Sequence, residues 1–328
     1  MKVGVLQFFG WRDRSVPLED IYSRALDRIE IMDQTAYDAV WLAEHHFSSY
    51  SVCPSVHLMA MQVAARTKRL RIGTAVTLAA FYHPLRIAEE IALVDLFSGG
   101  RVNWGAGRGF DPVEMKNFGV APEESADRFR EAVEIVLGAW SEERLTYHGR
   151  FNDFEDVEVL PKPTQDPHPP VWVAASSEGA IEWAADAGHK ILMDPHSAHD
   201  MIAKKQVLYA ERFEAKHGRP PEGDRPIARL VALGETEEEA NEVAARGALF
   251  SGRYLPKAAV AAFRSDGQAT EPQDHYMDDV IVYGTPERVV EQFKEMEQSM
   301  PLDYLLLSPL SEKTFDLFTE RVLPELVG

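Results

Sequence analysis

The stretch Arg71–Phe110 reads RIGTAVTLAAFYHPLRIAEEIALVDLFSGGRVNWGAGRGF. Its first part, Arg71–Leu78, is almost wholly apolar, as expected of a strand buried on both faces of a parallel sheet. His83-Pro84 then enters a helix, with proline in the first turn. A second apolar run, Arg101–Gly107, follows. This strand–helix–strand order repeats outward in both directions. Lys2–Phe9 and Ala39–Glu44 precede it, and Pro170–Ala175, Lys190–Asp194, Ile227–Leu233 and Asp303–Ser308 follow it, making eight strand candidates.

The intervening segments carry helical patterns. Leu18, Ile21, Ala25, Ile29 and Met32 mark the first helix. Pro122 opens another, whose Phe129, Val133, Val136, Leu137 and Trp140 share one face. At Thr285-Pro286-Glu287 a cap, a first-turn proline and an acid at the positive helix end come together, with Val289, Val290, Phe293 and Met296 behind. Eight strands separated by helices predict an α/β fold, a (β/α)8 TIM barrel, with residues 1–328 as a single domain. A doubly wound sheet is the alternative, but its first strand usually ends in a glycine-rich turn, and here Phe9-Gly10-Trp11-Arg12 stands there. Residues 141–169, with four prolines, read as an excursion between strands four and five; residues 251–282 read as a long insertion after helix seven.

Composition narrows the function. Acidic residues outnumber basic ones by 53 to 34, a net charge of −19, which disfavours nucleic acid and anionic lipid as partners. The lone cysteine, Cys53, forms no internal disulfide, which fits a reducing compartment. The start, MKVGVLQFFGW, is interrupted too soon by Arg12, Asp13 and Arg14 to read as a signal peptide, and no apolar run approaches 18 residues. A soluble cytoplasmic protein is expected.

In such a barrel the reacting groups sit at the C-terminal strand ends. There the sequence places Glu44-His45-His46-Phe47, Gly105-Ala106-Gly107-Arg108-Gly109, Ser176-Ser177 at a helix start, and Asp194-Pro195-His196. An arginine on one strand and a helix N-terminus on its neighbour form a phosphate cradle, although Ser176-Ser177 alone also reads as a plain cap. The glycines at 105, 107 and 109 match neither a Rossmann fingerprint nor a Walker loop. His45 reads either as a general acid/base or cofactor partner, or as a buried structural histidine bonded to Glu44. Adjacent strand residues face opposite ways, so His45 and His46 are not expected to share a metal. Asp194, His196, His199 and Asp200 can form a metal site, but Ser197 or Asp194 as a helix cap is the favoured account. His83 caps its helix or meets a ligand. No bound metal is expected.

The stretches WLAEHHF (41–47), IGTAVTL (72–78), HPLRIAEEIALVDLFSGGRVNWGAGRG (83–109), HPPVWVAASSEGAIEWAADAG (168–188) and YGTPERVVEQF (283–293) resemble the bacterial luciferase-like family of flavin-dependent monooxygenases. The resemblance implies an FMN-dependent monooxygenase. Reduced FMN, supplied by a separate flavin reductase, and dioxygen would place one oxygen atom into a small aldehyde, ketone or terpene-like substrate and leave water. It implies FMN phosphate at Arg108 and Ser176-Ser177, a non-proline cis peptide at Ala75-Val76 beneath the flavin ring, His45 at the reacting face, a mobile loop at 251–282 and a homodimer. Where luciferase itself carries a reactive cysteine, this chain has Gly107, so light emission is not implied. A deazaflavin-dependent dehydrogenase and a non-catalytic flavin-binding protein share the fold, but Glu-His-His-Phe and Gly-Arg-Gly look more like the FMN branch.

Overall fold

The computed structural model describes Met1–Val327. Its strands run β1 Lys2–Gln7, β2 Ala39–Leu42, β3 Arg71–Thr74, β4 Thr77–Leu78, β5 Val102–Gly107, β6 Leu145–His148, β7 Asp153–Val157, β8 Val171–Ala174, β9 Lys190–Leu192, β10 Pro226–Leu233, β11 Val282–Gly284 and β12 Tyr304–Pro309. Long helices connect most of them; the pairs β1–β12, β10–β11, β10–β12, β2–β3, β3–β5, β4–β5 and β5–β8 are parallel, and β6–β7 is antiparallel. The chain is therefore an α/β protein built on parallel strands. It divides into two compact units.

One unit comprises Gln7–Asp33 and Ala39–Ala174. Its parallel strands lie in the order β2-β3-β5-β8. All six residues of β5 are buried, the burial that its apolar run foretells. The run Arg71–Leu78 is not one strand. It divides at the Ala75–Val76 peptide, which is cis, and β4 resumes beside β5 at Thr77. Across the gap the Thr74 hydroxyl donates to the Gly105 carbonyl at 2.7 Å and accepts the Gly105 N–H at 2.9 Å. A β-carbon at Gly105 would come 1.9 Å from the Thr74 carbonyl oxygen, so only glycine permits this approach. The helix Pro84–Ser98 has His83 at its cap position, but the imidazole makes no capping bond and lies 5.7 Å from the Phe154 ring. Residues 141–169 contain the β6–β7 hairpin. Their return is pinned by buried Asp95, whose carboxylate accepts the Thr164 and Gln165 N–H groups and the Gln165 amide.

The other unit comprises Met1–Leu6, Gln34–Asp38 and the residues from Ala175 onward. Here β10 pairs with β12 and β12 with β1, in registers that align Val5, Leu307 and Arg229. The first part of β10 meets the end of β9 through a Met193–Ile227 bridge, and its last three residues pair with β11. Leu230 and Ala232 of β10 pack on Val243, Ala244 and Ala248 of the helix Glu237–Gly252. The stretch 251–282 is built from short helical turns, and Val260, Tyr276 and Val280 join the same core. Its last turn is widened: the Ile281 N–H reaches back five residues to the Tyr276 carbonyl.

Candidate active site

Past Leu42 the chain leaves the ladder, and Glu44, His45 and His46 fan out to different partners. Glu44 is buried. Its Oε1 accepts the Tyr82 hydroxyl at 3.0 Å and lies 3.0 Å from His46 Nε2, while its Oε2 has no hydrogen-bond partner in the protein. Glu44 therefore orients His46, not His45, which corrects the pairing expected from adjacency. Burial, reinforced by the Glu44 charge, pushes the Tyr82 phenol well above its usual range, so it is a fixed donor. Burial and Glu44 also push the Cys53 thiol up to about 12.

His45 faces Glu114 instead. Its Nδ1 lies 3.4 Å from Glu114 Oε1, the same oxygen that accepts the His46 N–H at 2.8 Å. Glu114 is buried in the helix Pro112–Asn117, whose start Asp111 caps through the Val113 N–H. The imidazole is 16% exposed and stands among Phe8, Tyr50 and Phe110, with ring centroids at 6.1, 5.0 and 6.4 Å. One ring nitrogen thus faces a fixed carboxylate while the ring keeps an exposed edge. That arrangement sets the imidazole's orientation and leaves it able to exchange a proton. Beside Tyr82, with ring centroids 5.4 Å apart, buried His57 bridges Glu90, at 2.8 Å, and the hydroxyl of Thr77, at 3.0 Å. The hydrogen bond from His57 is the main cause holding the Glu90 carboxyl below its usual range. Glu114, Tyr82, Thr77 and His57 escaped the sequence reading. Only the Asp111-Pro112 helix start near Glu114 offered a signal, and it says nothing of His45.

At the end of β5, a β-carbon on Gly107 would lie 2.3 Å from Val76 Cγ2, so Val76 fills the place of a side chain there. Arg108 follows, exposed and without an ion pair, and then Gly109 at φ +80. Phe47, Phe110, Val113 and Phe118 leave apolar surface exposed in this unit, with the Phe47 and Phe118 rings 5.4 Å apart.

In the other unit, Ser176 and Ser177 are exposed. Ser177 is the cap residue of the helix Glu178–Asp186, but its side chain makes no capping bond. The plain-cap account therefore does not occupy that hydroxyl. Asp194 organises a turn: Oδ1 accepts the His196 and Ser197 N–H groups, and Oδ2 accepts the Ser197 hydroxyl and Lys205 at 3.3 Å. The sequence put Ser197 or Asp194 at the helix cap, but Ala198 holds that position before the helix His199–His217. Segment 251–282 fastens onto this turn. Phe263 O accepts the Ala198 N–H, Tyr276 OH lies 2.7 Å from His196 Nδ1, and His275 Nε2 lies 2.7 Å from the His196 carbonyl oxygen. Among the described residues no three His, Cys, Asp or Glu side chains are grouped to hold a metal ion, and no helix is long and apolar enough to cross a membrane.

Residues 1–302 match the family model described as luciferase-like monooxygenase. An uncharacterized protein of Sinorhizobium fredii, y4wF, is 34% identical over 68% of this chain and 65% of its own. The oxygenase component of a flavin-dependent trigonelline monooxygenase from Acinetobacter baylyi is 27% identical over 69% of this chain and 63% of its own. The match thus spans under two thirds of the length of these curated relatives. An F420-dependent glucose-6-phosphate dehydrogenase of Kineococcus radiotolerans is 29% identical over 64% of each chain. Among solved structures, the monooxygenase RslO1 from Streptomyces bottropensis superposes with a TM-score of 0.82 at 28% identity, over 99% of this chain and 100% of that one. The chain belongs to the luciferase-like monooxygenase family.

Proposed function

We propose that the chain is the oxygenase component of an FMN-dependent monooxygenase, acting on a small organic substrate of the aldehyde, ketone or terpene-like kind, with reduced flavin delivered by a separate reductase. The observation that carries this reading is His45, set against Glu114 and ringed by Phe8, Tyr50 and Phe110, in a family whose named relatives include flavin-dependent monooxygenases. Reduced FMN would supply the activation of dioxygen. The residues fit such a group. Arg108 is exposed with no ion pair, and Ser177 heads a helix without using its hydroxyl as a cap, which supports both as phosphate ligands with Ser176. The cis Ala75–Val76 turn would support the ring. His45 would hold or move a proton at the reacting edge, and the exposed Phe47, Phe110, Val113 and Phe118 supply an apolar approach for substrate.

The parallel pairings within each unit, β2-β3-β5-β8 in one and β11-β10-β12-β1 in the other, support the (β/α)8 reading, with the β6–β7 segment as the excursion and 251–282 as the insertion. Exposed Leu58, Leu93, Leu96 and Phe97 favour a homodimer, and the charge balance favours a cytoplasmic life without nucleic acid or membrane. Oxygen uptake on mixing the protein with reduced FMN and a panel of such compounds tests the reading. Compound-dependent uptake with an oxygenated product supports it. Uptake that no compound alters, with no oxygenated product, and hydride transfer from a substrate to oxidised F420 replace it with the dehydrogenase.

A further inference from the structure

Arg229 is an anomaly in the middle of β10. It is fully buried, and Nε, Nη1 and Nη2 all lack a hydrogen-bond partner in the protein. The strand registers place it in a row with Val5 and Leu307, both fully buried and apolar. Leu230 and Ala232 turn toward the helix Glu237–Gly252, so Arg229 points from the opposite face of the strand. A guanidinium there has lost its hydration and gained no hydrogen bond in return, which is costly for a charged group.

The charges around it do not balance. Asp194 is the acidic group felt by Arg229, but its oxygens are taken by His196 N–H, Ser197 N–H, the Ser197 hydroxyl and the Lys205 ammonium. Burial opposes ionisation of Asp194, yet Lys205 and the other donors hold its carboxyl well below the usual range, so it stays charged. Burial lowers Arg229 only to about 10, so it stays charged as well. Lys205 is already paired with that one carboxylate. His199, within the field of Arg229, is driven down to about 3 by burial and by that charge; it is neutral, and its Nδ1 is buried without a partner. Gln206 lies two turns along the same helix, almost fully buried, with both amide atoms unpartnered. Among the buried groups, Arg229 and Lys205 face the single carboxylate of Asp194 and leave one positive charge in excess, while Asp200, the acid that acts on His199, is exposed. Water would satisfy the hydrogen bonds but not the charge; an anion satisfies both.

We propose that Arg229 binds a carboxylate group carried by the aldehyde, ketone or terpene-like substrate. Assigning the anion to the substrate rests on the monooxygenase reading above. The apolar neighbours Val5 and Leu307 suit the carbon skeleton of such a molecule better than a small inorganic ion. Segment 251–282 lies over the adjoining turn, with the Phe263 ring 5.8 Å from that of His196 and 5.9 Å from Lys205 Nζ.

The test is binding to the full chain without flavin, by calorimetry and melting temperature at constant ionic strength. The probes are benzoate, its neutral isostere benzamide and inorganic phosphate, on wild type and Arg229→Met. Wild type is expected to bind benzoate and be stabilised by it, benzamide at least tenfold more weakly, and Arg229→Met is expected to bind benzoate at least tenfold more weakly than wild type, the factor that one charge-assisted hydrogen bond supplies. Without ligand, Arg229→Met is expected to melt no lower than wild type, because an uncompensated buried charge has been removed. Equal response to benzoate and benzamide overturns the proposal. So does an undiminished benzoate response in the folded variant, or a response to phosphate alone. Because no flavin or oxygen enters this assay, its failure leaves the monooxygenase reading standing. Failure to form oxygenated product, conversely, leaves the anion site standing and removes only the word substrate.

Discussion

Gly107→Cys adds a side chain at the end of β5, and the structure forecasts its cost. The new β-carbon would lie 2.3 Å from Val76 Cγ2, 3.3 Å from Val76 Cβ and 3.6 Å from Ala174 Cβ. The first distance is more than an ångström inside van der Waals contact, and the obstacle is a branched side chain next to a fixed turn, with little rotamer freedom. Overpacking of this kind costs about 1–3 kcal/mol. Val76→Ala removes the clashing methyl. Urea denaturation of the wild type, both single variants and the double variant gives the coupling between the two positions. The Gly107→Cys variant is expected to lose about 1–3 kcal/mol, and the double variant to lose less than the two singles added together. Additivity, or a Gly107→Cys variant as stable as wild type, refutes the claim that Val76 occupies the place of a side chain at Gly107.

His45→Ala is expected to keep FMN binding within a few-fold while product yield falls by about 10²–10⁴, with hydrogen peroxide released in its place; a variant that melts lower yet turns over normally returns His45 to a structural role. Arg108→Ala is expected to weaken FMN by roughly 10–150-fold and leave riboflavin unaffected, and equal FMN affinity removes Arg108 from the phosphate site. His199, held near 3 when folded, takes up a proton in the unfolded chain as pH falls through about 6.5. Its contribution to stability is therefore complete above that pH and is lost on acidification, by up to about 2 kcal/mol at pH 5. His199→Gln should flatten the stability profile between pH 7.5 and 5, and an unchanged slope contradicts the burial assigned to it.

Strands were legible where both faces are buried. β5 and β10 read as apolar runs because each of their residues is buried. Val282–Gly284 was not, because a three-residue strand at the close of an irregular insertion has no period to show. The break at Ala75–Val76 leaves no mark on hydrophobic pattern; only the family resemblance pointed to it. His45 was found from its place at a strand end, but its partner was not. Adjacency pointed to Glu44, and once the chain leaves the ladder at Leu42, contact is decided by tertiary packing. Glu114, 69 positions further on, meets the ring instead. The same limit hid Arg229, whose lack of partners is a property of its surroundings rather than of its residue type.

Single-turnover oxygen uptake is the most direct trial of the central claim. Protein is mixed with chemically reduced FMN in aerated buffer, with and without each member of an aldehyde, ketone and terpene panel, and oxygen, peroxide and product are measured together. The account predicts that at least one compound converts oxygen uptake from peroxide release into stoichiometric oxygenated product, and that His45→Ala abolishes this conversion while still binding flavin. Peroxide yield that no compound alters, or flavin oxidation no different from that in buffer alone, would contradict it.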